Sequence, residues 1–343
     1  MKGVADSRPA LDRRAESAKA EPDAVFLFCY AGFVLFAIWI ALAQLSGAAW
    51  TSGRPPGCAD SDTRSANIWE RTKAPHLGRY CDFLADASSK LAGGPPMAAA
   101  ALDLARQADA MFEGQAAPLV LEGRALCALG RLDDAVHVLE LARSRDASAL
   151  EEPRALFAWA RVLARTGRAA EAAEAYRALL PRLSVLSPVE RSAAEVEAGL
   201  VAMSRGAAGL DEAAAALREG MREARDETQE VAMLALALAL DRRGDVGEAR
   251  ALLGERLHGD PRNVVASARG RDVLAVAPPE GGALAALALE ANDAPGARDS
   301  WQRYLDSAPF GGWAEHARAH LAALGVKSAP PRSSVPASMG RPR

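Results

Sequence analysis

Between Leu119 and Leu305 one short pattern occurs five times: a small residue, a turn, an alanine, and a bulky side chain four residues after the alanine. The small residues are Gly123, Ala160, Gly199, Ala237 and Ala285, and the alanines are Ala135, Ala172, Ala213, Ala249 and Ala297. The bulky residues are Leu139, Tyr176, Leu217, Leu253 and Trp301. Four of the five gaps from small residue to alanine are 12 residues, and the third is 14, matching a longer loop at Gly206-Ala207-Ala208-Gly209. The turns themselves are alike, as in Gly130-Arg131-Leu132-Asp133-Asp134 and Gly167-Arg168-Ala169-Ala170-Glu171. Glycine suits the left-handed position that ends a helix, and acids suit the first turn of the next through its dipole. A chain with this pattern is restricted to antiparallel helix pairs. Small residues allow the helices of a pair to approach, and the bulky residue is expected to fill the space between neighbouring pairs. No pair hides its apolar face alone, so the pairs must stack.

The pattern resembles the tetratricopeptide repeat, whose repeats are about 34 residues long and close on a proline. Here the closing proline occurs as Pro261 and Pro309, and successive alanines lie 37, 41, 36 and 48 residues apart. Loops are therefore longer, and residues 262–282, with Pro278-Pro279 and Gly281-Gly282, read as an insertion. The resemblance covers about 115–310, with 76–112 as a degenerate first pair and Trp313 to Leu324 as a capping helix. It implies a concave surface, lined by the first helices, that holds peptides or helices. The residues expected to face that groove are Arg124, Arg154, Phe157, Arg161, Arg165, Met203 and Arg242. Arg154, Arg161, Arg165 and Arg168 gather around one repeat, and with Phe157 they suit an acidic or carboxylate-bearing segment. The Lys/Asn carboxylate clamp of chaperone-binding members is absent.

Composition agrees with an all-α fold: 50% of residues are hydrophobic but only 5% aromatic, and alanine runs such as Ala98 to Ala101 supply much of the apolar content. The net charge of −3 and pI near 6.0 do not suit binding through nucleic-acid phosphates, so no nucleic-acid partner is expected.

From Ala24 to Ala43 there is no charged residue. About 20 residues at about 1.5 Å each span a hydrocarbon core of about 30 Å, so 24–45 is expected to be a transmembrane helix in contact with the lipid bilayer. A cleaved signal peptide with its site at Ser46-Gly47-Ala48 is the alternative. Lys2, Arg8, Arg13, Arg14 and Lys19 precede the run, and only Arg54 and Arg64 closely follow it, which places the N-terminus in the cytoplasm. The alanine- and arginine-rich composition suggests a bacterial chain, held in the inner membrane with its repeat domain in the periplasm. Segment 1–23 is expected to be disordered, 46–75 to be a linker, 76–325 the repeat domain, and 326–343 a flexible Pro/Ser/Arg tail.

Cys58 and Cys81 would lie in an oxidising space under that topology, where a bridge would tie the linker to the first helix. No CxxC or paired Cys/His spacing occurs, and HExxH, GxSxG and GxGxxG are absent. His316 and His320 share a helix face, a spacing compatible with a metal, but they read as two ordinary histidines of the cap. No metal, cofactor or enzymatic activity is expected. The expected function is a membrane-anchored scaffold, an adaptor or assembly factor. A structural subunit of an envelope complex and a single-span sensor or regulator are the alternatives.

Overall fold

The computed structural model describes Cys58 and residues 75–257, 259–307 and 312–325, all within the compact unit Gly57–Arg343. The expected transmembrane helix at 24–45, the segment 1–23, the tail from 326 and the linker other than Cys58 and Pro75 lie outside the described residues. Among the described residues, no helix is long and apolar enough to cross a membrane.

Every regular element among the described residues is a helix. Six antiparallel pairs follow one another: α1 Pro75–Ala92 with α2 Ala98–Met111, α3 Ala116–Ala128 with α4 Leu132–Arg145, and α5 Pro153–Arg165 with α6 Ala169–Leu179. Then come α7 Pro188–Met203 with α8 Leu210–Glu223, and α9 Asp226–Arg243 with α10 Val246–Arg256. Two short helices, α11 Pro261–Ala266 and α12 Ala268–Leu274, precede the sixth pair, α13 Glu280–Leu289 with α14 Ala294–Asp306. Helix α15, Trp313–Ala323, packs on α14 as a cap. Each of the five sequence repeats is one of these pairs, so the fold is an α-solenoid of tetratricopeptide-like hairpins.

The turns form for the reasons legible in the chain. Gly130, Gly167 and Gly244 have φ of 74°, 82° and 97°. At each, the following N–H returns to the carbonyl five residues back: Arg131 to Leu126, Arg168 to Leu163 and Asp245 to Leu240. This closes the helix end without orphaned carbonyls. The next helix opens on acids, Asp133 and Asp134 in α4, Glu171 in α6 and Glu248 in α10. Helix α7 starts with a reciprocal cap between Ser187 and Glu190 and has Pro188 in its first turn.

Packing within a pair is tighter than the pattern alone implied. A Cβ on Gly123 would overlap the Leu139 side chain, and one on Gly199 would overlap Leu217. These bulky residues therefore fill their own hairpin, not the gap to the next pair as expected. Tyr176 does reach the next pair, where its hydroxyl donates to Glu197 Oε2 on α7 at 2.8 Å.

Two other expectations need correction. Gly281 and Gly282 lie inside α13, not in an insertion loop. A Cβ on Gly282 would stand 3.4 Å from Tyr304 Cβ, and one on Gly281 would stand 3.1 Å from Val265 Cγ1. Both glycines bring α13 close to its neighbours. The insertion itself is folded: Asp260 caps α11 and Ser267 caps α12 through side-chain oxygens. Both short helices pack on α9, and α12 also reaches α7.

Helix α9 is the centre of the unit. Every residue from Val231 to Leu240 is buried, because α7, α8, α10, α11, α12 and α13 all pack around it. A helix that is apolar on all faces belongs in such a position.

Candidate functional site

First helices α3, α5, α7 and α9 pack side by side in chain order, and the insertion helix α12 lies against α5 and α7. Arg161 on α5 makes a bidentate pair with Glu197 on α7, Nε to Oε2 at 2.9 Å and Nη2 to Oε1 at 2.7 Å. The same Nη2 also donates to Asp272 Oδ2 on α12 at 2.9 Å. Arg165, one turn further along α5, donates to the Asp272 backbone oxygen and to Oδ1, both at 2.8 Å. Phe157 lies under the Arg161 guanidinium, 5.1 Å from its centre. The insertion thus places one carboxylate across two groove arginines 107 and 111 residues earlier in the chain.

Electrostatics follow from this packing. Burial works against the charge of Asp272, but the guanidiniums of Arg161 and Arg165 outweigh it and hold the carboxyl below its usual range. Burial likewise works against the charge on Arg161, and Glu197 and Asp272 reverse it so that the guanidinium holds its proton more firmly than usual. Glu197 is fully buried. Its removal would leave Arg161 short of its main partner, and loss of Arg161 would strand a buried carboxylate.

The other expected groove residues separate into two groups. Arg124 and Arg154 are both half-buried, and Arg154 lies 4.0 Å from Glu190. Protein crowding around Arg124 weakens its hold on the proton, partly countered by Glu152 and Glu190. Phe157, Met203 and Arg242, by contrast, are buried, and their expected exposure is corrected. Met203 sits in the core because α15 covers it: the Trp313 indole N–H donates to the Met203 carbonyl at 2.9 Å. Arg242 points inward to Glu280 at 2.7 Å and donates to the Tyr304 hydroxyl at 2.6 Å, and the Trp313 ring lies 4.5 Å from its guanidinium. Arg168 leaves the groove cluster altogether, pairing with Glu140 and Glu171, both at 2.6 Å, beside the Trp159 ring.

Cys58 and Cys81 are joined by a disulfide that holds the chain before α1 to that helix. Cys127 is a buried free thiol, and burial pushes its pKa up, which makes it inert.

A second concavity of about 1030 Å³ lies among the second helices, between α8 and α10, with Leu180, Leu183 and Glu195 on its floor. Its rim carries both signs, and Arg218 pairs with Glu248 at 3.1 Å. Burial first, then Glu223 and Glu219, raise the Glu195 carboxyl pKa to about 7.

Sequence reasoning missed Glu197, Asp272, Glu280 and Asp241. Glu197 had a signal shared with Glu195: an acid inside the apolar stretch of α7 from Ala193 to Met203 needs a buried partner or a proton. Asp272 had none, because nothing in the chain announces which repeat the insertion reaches. One group of metal-compatible donors also emerges among the described residues. Asp241, His316 and His320 place their ligand atoms within 4.8 Å of one another.

Fold and site together define an α-solenoid of tetratricopeptide-like pairs whose insertion packs against its own first helices. No family model matches the chain, and no curated protein matches it. Among solved structures, a chain in the structure of Naa15/Naa10 bound to HypK-THB is similar, with TM-score 0.36 and 14% identity. The match covers 73% of this chain and 40% of that one, so this chain spans well under half of that neighbour's length. A likeness that low transfers nothing of the neighbour's binding to this protein.

Proposed function

We propose that the protein is a non-enzymatic, membrane-anchored scaffold, an adaptor or assembly factor, whose concave face takes an acidic segment of a partner protein. The observation that carries this reading is the seating of Asp272 on Arg161 and Arg165. The groove already binds a carboxylate through charge-assisted hydrogen bonds, in the geometry a partner's Asp or Glu would use. Arg124 and Arg154 extend the basic surface beyond that point and retain solvent exposure. A partner entering the groove competes with α12, which makes the insertion an occupant in cis.

Anchoring belongs to the same reading. It rests on the uncharged run from Ala24 to Ala43 and on the basic residues before it, with the repeat domain on the periplasmic side of a bacterial inner membrane. The Cys58–Cys81 bridge suits that oxidising space. Fixing a binding module to the membrane raises its effective concentration near other membrane proteins.

Charge reversal at Arg161 is a poor test, because it would unpair the buried Glu197. Asp272→Asn and Arg165→Gln are better suited, since Asp272 is partly exposed and keeps or loses only one side of the contact. Proximity labelling of the intact chain should recover more partner with Asp272→Asn and less with Arg165→Gln. Equal recovery from both folded variants would overturn the groove reading.

A further inference from the structure

We propose that Asp241, His316 and His320 form a binding site for a divalent transition-metal ion of the Zn²⁺ type, which clasps the cap helix α15 to α9. The two histidines are four apart on α15, so both rings project from one face. Asp241 stands at the end of α9, 75 and 79 residues earlier in the chain. His316 Nε2 lies 2.8 Å from Asp241 Oδ2, and His320 Nε2 lies 2.9 Å from the same oxygen. Four donors held about 2.1 Å from a tetrahedral ion stand about 3.4 Å from one another, so the two nitrogen–oxygen contacts, here hydrogen bonds, lengthen by about half an ångström to admit it.

The surroundings are those of a built site. Asp241 is almost wholly buried, with 3% of its side chain exposed, whereas the two histidines retain 18–19%. The donors are thus fixed from below and open on one side, where water would complete four-coordination. His320 Nδ1 stands 2.6 Å from Glu290 Oε1, the carboxylate contact that sets the tautomer of a metal-binding histidine and turns the Nε2 lone pair toward the ion. Glu290 is itself held by the Trp301 indole N–H at 2.8 Å. The Trp301 ring stacks on His320 at 4.8 Å, and Trp313 meets the His316 ring edge-on at 6.1 Å. The His320 plane is therefore fixed before any ion arrives, whereas His316 Nδ1 is buried without a hydrogen-bond partner. Two imidazoles and one carboxylate select Zn²⁺, Ni²⁺, Cu²⁺ or Fe²⁺ over Mg²⁺ and Ca²⁺, which prefer all-oxygen shells.

The test uses the untagged full chain, stripped with a chelator and dialysed. Titration calorimetry with Zn²⁺ should give one ion per chain at micromolar affinity or tighter, and Mg²⁺ should give no heat. Single variants His316→Ala and His320→Ala should bind no measurable ion, while His137→Ala, a histidine on α4, should bind as the wild type does. In the wild-type chain with ¹⁵N-labelled histidine, Zn²⁺ should move the ring resonances of two of the five histidines and leave three in place. That readout does not depend on a variant folding. No saturable binding, binding that survives either alanine variant, or a different number of shifted rings would overturn the proposal.

Discussion

Single residues decide most where a charge is enclosed. Arg242 has no exposed side-chain surface, and Glu280 has 3%. Each needs the other, because a lone buried charge costs about 3–5 kcal/mol. Glu195 is the opposite case, an enclosed carboxyl facing further acids. Its pKa in the folded chain is raised to about 7 from 4.5. The folded state therefore holds a proton that the unfolded state releases, and the associated stability is complete below pH 4.5 and lost as pH rises through 7. The loss is on the order of 3 kcal/mol at about 1.4 kcal/mol per unit. Urea unfolding at a series of pH values should show this decline in the wild type, and Glu195→Gln should flatten it. An unchanged slope in the variant would place the titrating group elsewhere. The residue types around these sites were visible in the sequence, but their partners were not. Arg242 reads as a solvated cation at the end of a helix until α13 and α15 are folded over it.

At the scale of the element, the hairpin was the most legible object in the chain. Glycines at fixed offsets, acids after each turn and the recurring 12-residue gap all act over one or two helical turns, so local chemistry determines them. What the pattern could not give was the direction of the bulky residue. Leu139 folds back over Gly123 because hydrogen is the only side chain there and the gap within the pair must be filled. Gly123→Ala should therefore destabilise the chain by about 1–3 kcal/mol through overpacking. Leu139→Ala should cost about 2–5 kcal/mol by leaving a cavity. Combining them should cost less than the sum, since each relieves the other, and strict additivity in denaturation would show that the two side chains do not share space. The insertion was the least legible element. Its proline and glycine content marked it only as an insertion, whereas Asp260 and Ser267 each cap a short helix there.

At the scale of the whole molecule, the unit departs from an open solenoid in which each repeat meets only its neighbours. Helix α12 returns to α5 and α7, and α15 returns to α7 and α9 through Trp313 and the two histidines. Arg124 and Arg154, on the earlier first helices, have no such contact with α12 or α15 and stay half-buried. Trp313 is the keystone of the cap. Trp313→Ala should cost about 3–5 kcal/mol and should lower hydrogen-exchange protection in α7 and α9 as well as in α15. Loss of protection confined to α15 would mean the cap is a local appendage. A signal for this closure was present in the chain and passed over: an uninterrupted apolar run from Val231 to Leu240 leaves α9 no face for solvent, so the groove there had to be covered.

The sequence by itself determined the paired helices of the five repeats, most of the turns between them and the number of repeats, because those follow from contacts a few residues apart and from a pattern the chain states five times. Only the tertiary structure decided what fills the curve of the stack: Asp272 on Arg161 and Arg165, Trp313 under Met203, and Asp241 between His316 and His320. Those meetings join residues 75 to 111 positions apart. They depend on the summed twist of several stacked pairs, a quantity no local spacing encodes.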